Sequence, residues 1–336
     1  MRIDSDYELI PPIPFLLKLL LNHVKKRNYH MNAKVICENC GHANALNQNQ
    51  CSQCDETLKN YAYFKNDFRE FYKLFSKDNI EILKKIPLTD TAYDSIINSI
   101  VDIGNENYQV FPENANVQHL IKIAKPYARV QYDNANRHPN FYSYYSFNKI
   151  FINRLTPNEL IPGAIIHELA HHLFNEIIKQ SVMHLLNVEK NLYIESFAWY
   201  LTLQNEYMQI VNEFVSHRVQ EYFVPEHFTG YTSVLELLDE GNLDKDKIET
   251  ALSVGLSVSK DVIFILEKYI SPSLSVNPDI IQYLNLGFDI RSLDEQNKLN
   301  AMYTIIVETF EFIAGHKRDM QPVLNDLNQS YIEYNI

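Results

Sequence analysis

Apolar residues recur every third or fourth position along most of this chain, and one stretch breaks the pattern. Phe68, Phe71, Tyr72 and Phe75, then Ile80, Ile82, Leu83 and Ile86, then Tyr93, Ile96, Ile97 and Ile100 predict two or three short helices over 66–103. Another helix is predicted at 117–124. Between 127 and 152 the spacing turns to partial alternation of Tyr, Val, Ile and Phe, interrupted by an Asn/Pro/His-rich turn at 134–140. That predicts strands at 127–132 and 142–152, paired as a hairpin. Thr156, Pro157 and Glu159 then read as a capping box with proline in the first turn, so a helix opens there. Pro162-Gly163 is expected to kink or restart it, and 164–179 continues without a breaker. From 195 to 223 neither Gly nor Pro occurs, which predicts one long helix or two abutting ones. A turn at 225–230 ends it, and helical patterns follow at 234–238, 246–254, 260–269 and 293–314.

Composition narrows the class. At 336 residues, 46% hydrophobic and 12% aromatic, the chain has the material for a folded core and the length for about two domains. Only 8 Gly argues against sandwiches, propellers and glycine-rich nucleotide folds, which need many positive-φ turns. The expectation is an α+β protein, mainly helical, with a small antiparallel or mixed sheet. Thirty Lys+Arg against 42 Asp+Glu give a net charge of −12, which argues against a broad nucleic-acid-binding surface. The apolar stretch 10–21 holds three prolines and Lys18, follows Asp4, Asp6 and Glu8, and is too short to span a bilayer. A cytoplasmic protein without a transmembrane segment is expected.

Four cysteines, Cys37, Cys40, Cys51 and Cys54, form two Cys-x2-Cys pairs separated by a mostly polar stretch. Four thiolates in two tight knuckles suit a closed, structural zinc site. The segment resembles short zinc ribbons, which implies a hairpin between the pairs and is compatible with contact to a partner protein.

A second metal site is written into His167-Glu168-Leu169-Ala170-His171. On a helix, positions i and i+4 share a face, so both imidazoles reach one zinc, while Glu168 projects about 100° round the axis. That offset suits a general base acting on a zinc-bound water. A catalytic zinc takes three protein ligands. Glu195, in Glu195-Ser196-Phe197-Ala198, lies 24 positions after His171 and is the expected third, with Glu189 and His184 as competitors; His172 points off the ligand face.

His167-Glu168-x-x-His171 followed by Glu195-x-x-Ala198 resembles the gluzincin metallopeptidases, over about 127–238, and within them the ImmA/IrrE-type and plant LIM-domain peptidases. The resemblance implies a zincin-like fold, a zinc-dependent peptidase acting on a peptide or protein substrate, and an edge strand at 142–152 that pairs with extended substrate. It also implies a donor to the tetrahedral oxyanion downstream of the ligands, where His217, His227 and Tyr231 are the candidates, His217 and Tyr231 foremost. The expected organisation is an N-terminal helical segment (1–30), zinc ribbon (31–60), helical linker (61–110), zincin-like domain (111–240) and helical C-terminal region (241–336). The rival expectation is a zinc-stabilised regulatory or binding protein whose zincin domain is degenerate.

Overall fold

The computed structural model describes residues 34–36, 42–45, 48, 50–56, 73–104, 117–134, 138, 140–146, 148–190, 192–224, 231–241, 243–273 and 287–316. The expected segment 1–30, Cys37, Cys40 and His227 lie outside the described residues. A short antiparallel hairpin, β1 (Lys34–Ile36) with β2 (Ala43–Ala45), precedes the second cysteine pair. There the Cys51 amide donates to the Glu56 carbonyl at 2.8 Å, and Asp55 sits at φ 57. Asn44 braces the turn by accepting from the Ser52 amide at 2.8 Å, and its Nδ2 lies 3.5 Å from Cys51 Sγ.

The helices that follow are α1 (Lys77–Leu83), α2 (Asp90–Gly104) and α3 (Val117–Ala124). Then come β3 (Arg129–Asp133), β4 (Ser143–Ser146) and β5 (Lys149–Asn153). The sheet order is β3-β5-β4, with β3 parallel and β4 antiparallel to β5. This corrects the expected hairpin. The segment 142–152 is itself the hairpin, turning through Asn148 at φ 63, and β3 joins its far side in parallel. Asn tolerates that left-handed backbone better than most residues, and the turn leaves β4 as an edge.

The central element is α4 (Ile161–Leu186). It is buried nearly all round, polar residues included, as a helix enclosed by other elements is. The helix expected to open at Thr156 opens instead at Ile161, so of the two outcomes expected at Pro162-Gly163 the restart holds and the kink does not; Pro162 lies in the first turn, where a missing N–H removes no intrahelical bond. A Cβ on Gly163 would stand 3.0 Å from Gln220 Nε2, so that amide would have to shift by a few tenths of an ångström. The Thr156 capping box does not form. Thr156 Oγ1 instead donates to the Tyr142 carbonyl at 2.6 Å, tying the helix entry to the start of β4.

Two helices, not one, follow: α5 (Leu192–Gln204) and α6 (Glu206–Phe223). Asn205 separates them as an N-cap whose side chain accepts from the Met208 amide, and α6 packs along α4. Next are α7 (Thr232–Glu240), α8 (Lys245–Glu267) and α9 (Glu295–Gly315). The patterns at 246–254 and 260–269 join into the single helix α8 because Gly255 lies against α6, where a Cβ would meet Phe214 Cδ1 at 2.9 Å. One contiguous core draws on residues from Leu74 to Ile313, so the segments expected as linker, zincin-like domain and C-terminal region share it. Lys298, 2% exposed, is paired with Asp261 at 2.7 Å, and Asp261 also accepts from the Tyr93 hydroxyl. No described helix is long and apolar enough to cross a membrane.

Candidate metal centre

A cavity of about 560 Å³ runs along α4, walled by β4, α5, α6 and α7. Ala164, His167, Glu168, His171 and Asn175 face it from α4, the spacing that keeps side chains on one helical face.

The Nε2 atoms of His167 and His171 stand 3.1 Å apart. Their other nitrogens are held from α6, His167 Nδ1 by Gln220 Oε1 at 3.0 Å and His171 Nδ1 by Asn212 Oδ1 at 2.9 Å. An amide oxygen only accepts, so each Nδ1 carries the proton and each Nε2 presents a bare lone pair. Burial holds His167 well below the usual histidine range, reinforced by the neighbouring His217 and His171. Two neutral lone pairs at this separation repel unless a cation lies between them.

The carboxylate that completes the group is Glu213 of α6. Its oxygens lie 3.6 Å from His171 Nε2 and 3.8 Å from His167 Nε2. His167, Glu213 and His217 offer ligand atoms within 4.8 Å of one another. Zinc bonds to nitrogen and oxygen of about 2.0–2.1 Å in a tetrahedron imply ligand separations of about 3.3 Å, close to those present. The donor set therefore fits zinc, and amide oxygens behind metal-ready imidazoles are the outer-shell pattern such sites use.

Glu195, the expected third ligand, is not brought to the histidines. It sits in the first turn of α5, one turn before Trp199 of the cavity wall. Its carboxylate lies 3.9 Å from Lys190 Nζ, near the buried Glu176–Lys179 pair. The helix that reaches the histidines is α6, which begins after the Asn205 cap and brings Asn212 and Gln220 onto His171 and His167. Glu189 and His184 are exposed, and His172 turns to β4, its Nδ1 2.9 Å from the Tyr145 hydroxyl.

Glu168 is 6% exposed and accepts from Ser143 Oγ at 2.7 Å. Burial raises its pKa to about 7, against lowering by His171, Ser143 and the Tyr145 amide. It is thus a buried carboxyl tied to the edge strand and poised to exchange a proton near neutrality.

The two foremost oxyanion candidates are placed differently. Tyr231 donates its hydroxyl to Glu221 at 2.9 Å and is not part of the cavity wall. His217 is in the wall, its ring 4.6 Å from that of His167. Ser233 Oγ donates to Glu213 at 2.8 Å, so at 2.7 Å it can only accept from His217 Nε2. This leaves His217 Nδ1 unprotonated, buried and without a hydrogen-bond partner, and burial lowers the ring's pKa to about 4. It presents a lone pair, not the donor an oxyanion requires.

Sequence reasoning missed Glu213, Asn212, Gln220, Ser143 and Ser233. One local signal was available: Glu213 and His217 repeat the i, i+4 spacing of His167 and His171, on a helix announced by the Asn205 cap. Compared with protein-family models, curated proteins and solved structures, the chain finds no match in any of the three.

Proposed function

We propose that this protein is a zinc-dependent peptidase in which His167, His171 and Glu213 hold the metal and Glu168 is the general base. The observation that carries the reading is the meeting, in one cavity, of two oriented imidazoles, a carboxylate from a separate helix and a second, independently held carboxyl. When bound, zinc supplies a Lewis acid that polarises a carbonyl and brings a water near neutral pKa. Glu168 takes a proton on its carboxylate and returns it to the leaving amine. Ser143 and the Tyr145 amide hold that carboxylate against β4, and Ser233 orients Glu213. The outer edge of β4, lined by Tyr142 to Tyr145 along the cavity, supports an extended peptide through backbone hydrogen bonds.

The four cysteines form a separate structural zinc ribbon in this reading, with the β1–β2 hairpin and the braced Cys51–Cys54 turn as the described half. The ribbon is suited to contact a partner protein.

Zinc-loaded protein incubated with a mixture of unstructured peptides, read by mass spectrometry, tests the proposal. The wild type should cut, and Glu168→Gln should keep its zinc while losing roughly 10²-fold or more in rate. A wild type that binds zinc stoichiometrically and cuts nothing overturns the peptidase reading.

A further inference from the structure

The cavity continues past the histidine pair. Asn175 follows His171 by four residues, about 6 Å farther along α4, and the wall there is Trp199, Thr202 and Leu203 from α5 with Tyr144 and Tyr145 from β4. Trp199 lies 4% exposed, stacked on Tyr145 with ring centroids 5.1 Å apart; Tyr144 stacks on Phe151 at 4.8 Å. Neither Lys nor Arg lines the cavity among the described residues, and its carboxylates belong to the stretch around the histidines and α7.

Asn175 is 2% exposed, and its amide has one hydrogen bond, from Nδ2 to Thr202 Oγ1 at 3.3 Å. Thr202 donates its own proton to the Ala198 carbonyl at 3.0 Å. Its oxygen can therefore only accept, which fixes the nitrogen end of the Asn175 amide toward Thr202. Asn175 Oδ1 is left buried with no partner. An unmet buried carbonyl is costly to keep, and in native proteins it calls for a ligand or a water.

We propose that this end of the cavity is a side-chain pocket that takes a tyrosine of the substrate, with Asn175 Oδ1 accepting its phenolic proton. This rests on the peptidase reading for its role and names the residue that reading would select. The aromatic and leucine walls suit a planar ring, and the single neutral acceptor suits a neutral donor. Lysine or arginine would enter without a counter-charge at this end, which is unfavourable. Phenylalanine would fill the same space and leave the carbonyl unmet, and sites built around a hydroxyl discriminate against the analogue lacking it.

Trp199 is the single tryptophan of the chain, so its emission, excited where tyrosine does not absorb, reports occupancy directly. The full-length protein is titrated with N-acetyl-tyrosinamide and with N-acetyl-phenylalaninamide. The tyrosine derivative should bind about 10-fold tighter; Asn175→Leu should abolish that preference, and Thr202→Val, which frees the amide to rotate, should weaken it. Equal affinities in the wild type, a preference that survives in a folded Asn175→Leu, or a silent Trp199 each overturn the proposal. If Asn175→Leu does not fold, Thr202→Val decides: an undiminished preference rejects the pocket. Binding needs neither metal nor turnover, so a protein that discriminates the two ligands yet cuts no peptide fails only the peptidase reading. One that cuts peptides but binds both equally fails only the pocket.

Discussion

Asn212 Oδ1 lies 2.9 Å from His171 Nδ1, and the next residue, Glu213, places its carboxylate 3.6 Å from the other nitrogen of the same ring. One turn of α6 thus orients a histidine and supplies the carboxylate beside it. Asn212→Ala should leave the helical circular dichroism unchanged and weaken zinc binding about 10- to 100-fold, as loss of an outer-shell partner does. Competition with a chromophoric chelator measures it.

Glu213 and Glu195 make opposite predictions. Glu213→Gln should lower the affinity of the cavity for zinc by more than Asn212→Ala does, whereas Glu195→Gln should leave it unchanged, because Glu195 faces Lys190. Zinc retained in Glu213→Gln and lost in Glu195→Gln would reverse the ligand assignment.

Gly255 carries the fit between α8 and the helix that bears Glu213. Its added Cβ would meet Phe214 Cδ1 at 2.9 Å and the Val211 carbonyl at 3.3 Å, so Gly255→Val overpacks that contact. A loss of about 1–3 kcal/mol in urea unfolding is expected, together with weaker zinc binding, since the displaced residues adjoin Asn212 and Glu213. A variant with wild-type stability would show that α8 yields instead.

Acid should destabilise the metal-free protein in two overlapping windows. Burial lowers His172 from 6.5 to about 3, so its contribution is fully present above pH 6.5 and lost as pH falls through 3. For Glu176 burial is the largest single effect and raises the pKa, but Lys179, Lys190 and His172 together outweigh it and lower the group from 4.5 to about 2. Its contribution is present above pH 4.5 and lost toward 2. Both groups bind fewer protons folded than unfolded, so both slopes have the same sign. Urea midpoints should fall steadily from pH 7 to 4, and His172→Gln should flatten the part above pH 4.5; an unchanged slope would assign the effect to other groups.

The proposed ribbon would hold a second metal. Wild-type protein should hold two zinc ions per chain by elemental analysis, Cys51→Ser should hold one, and a doubly substituted Cys51→Ser, Glu213→Gln protein should approach none. One ion per wild-type chain, unaffected by Cys51→Ser, would remove the ribbon site.

Much of the local structure was legible in the sequence. The 3.6 period marked α2, α3 and α9, the unbroken run after Gly163 marked α4, and the i, i+4 histidines needed only helix geometry to share a face. The sheet was harder: strand content at 127–152 was readable, but its pairing was not, because a parallel β3–β5 contact joins segments across another strand and leaves no turn signature. Glycine and proline were only partly readable. Pro162 marks the start of α4, the restart that was one of two expected outcomes, and the separate patterns at 246–254 and 260–269 run together in α8 through Gly255, which lies against Phe214.

The sequence alone determined that a helix would present His167 and His171 to one point with Glu168 beside them, since that follows from the rotation per residue. Only the tertiary structure decided which carboxylate meets them. Glu195 is nearer in sequence, but a new helix begins after Asn205 and Gly255 lets that helix, α6, lie close against α8. Glu213, Asn212 and Gln220 therefore reach the histidines across a packing interface, and no local periodicity encodes that approach.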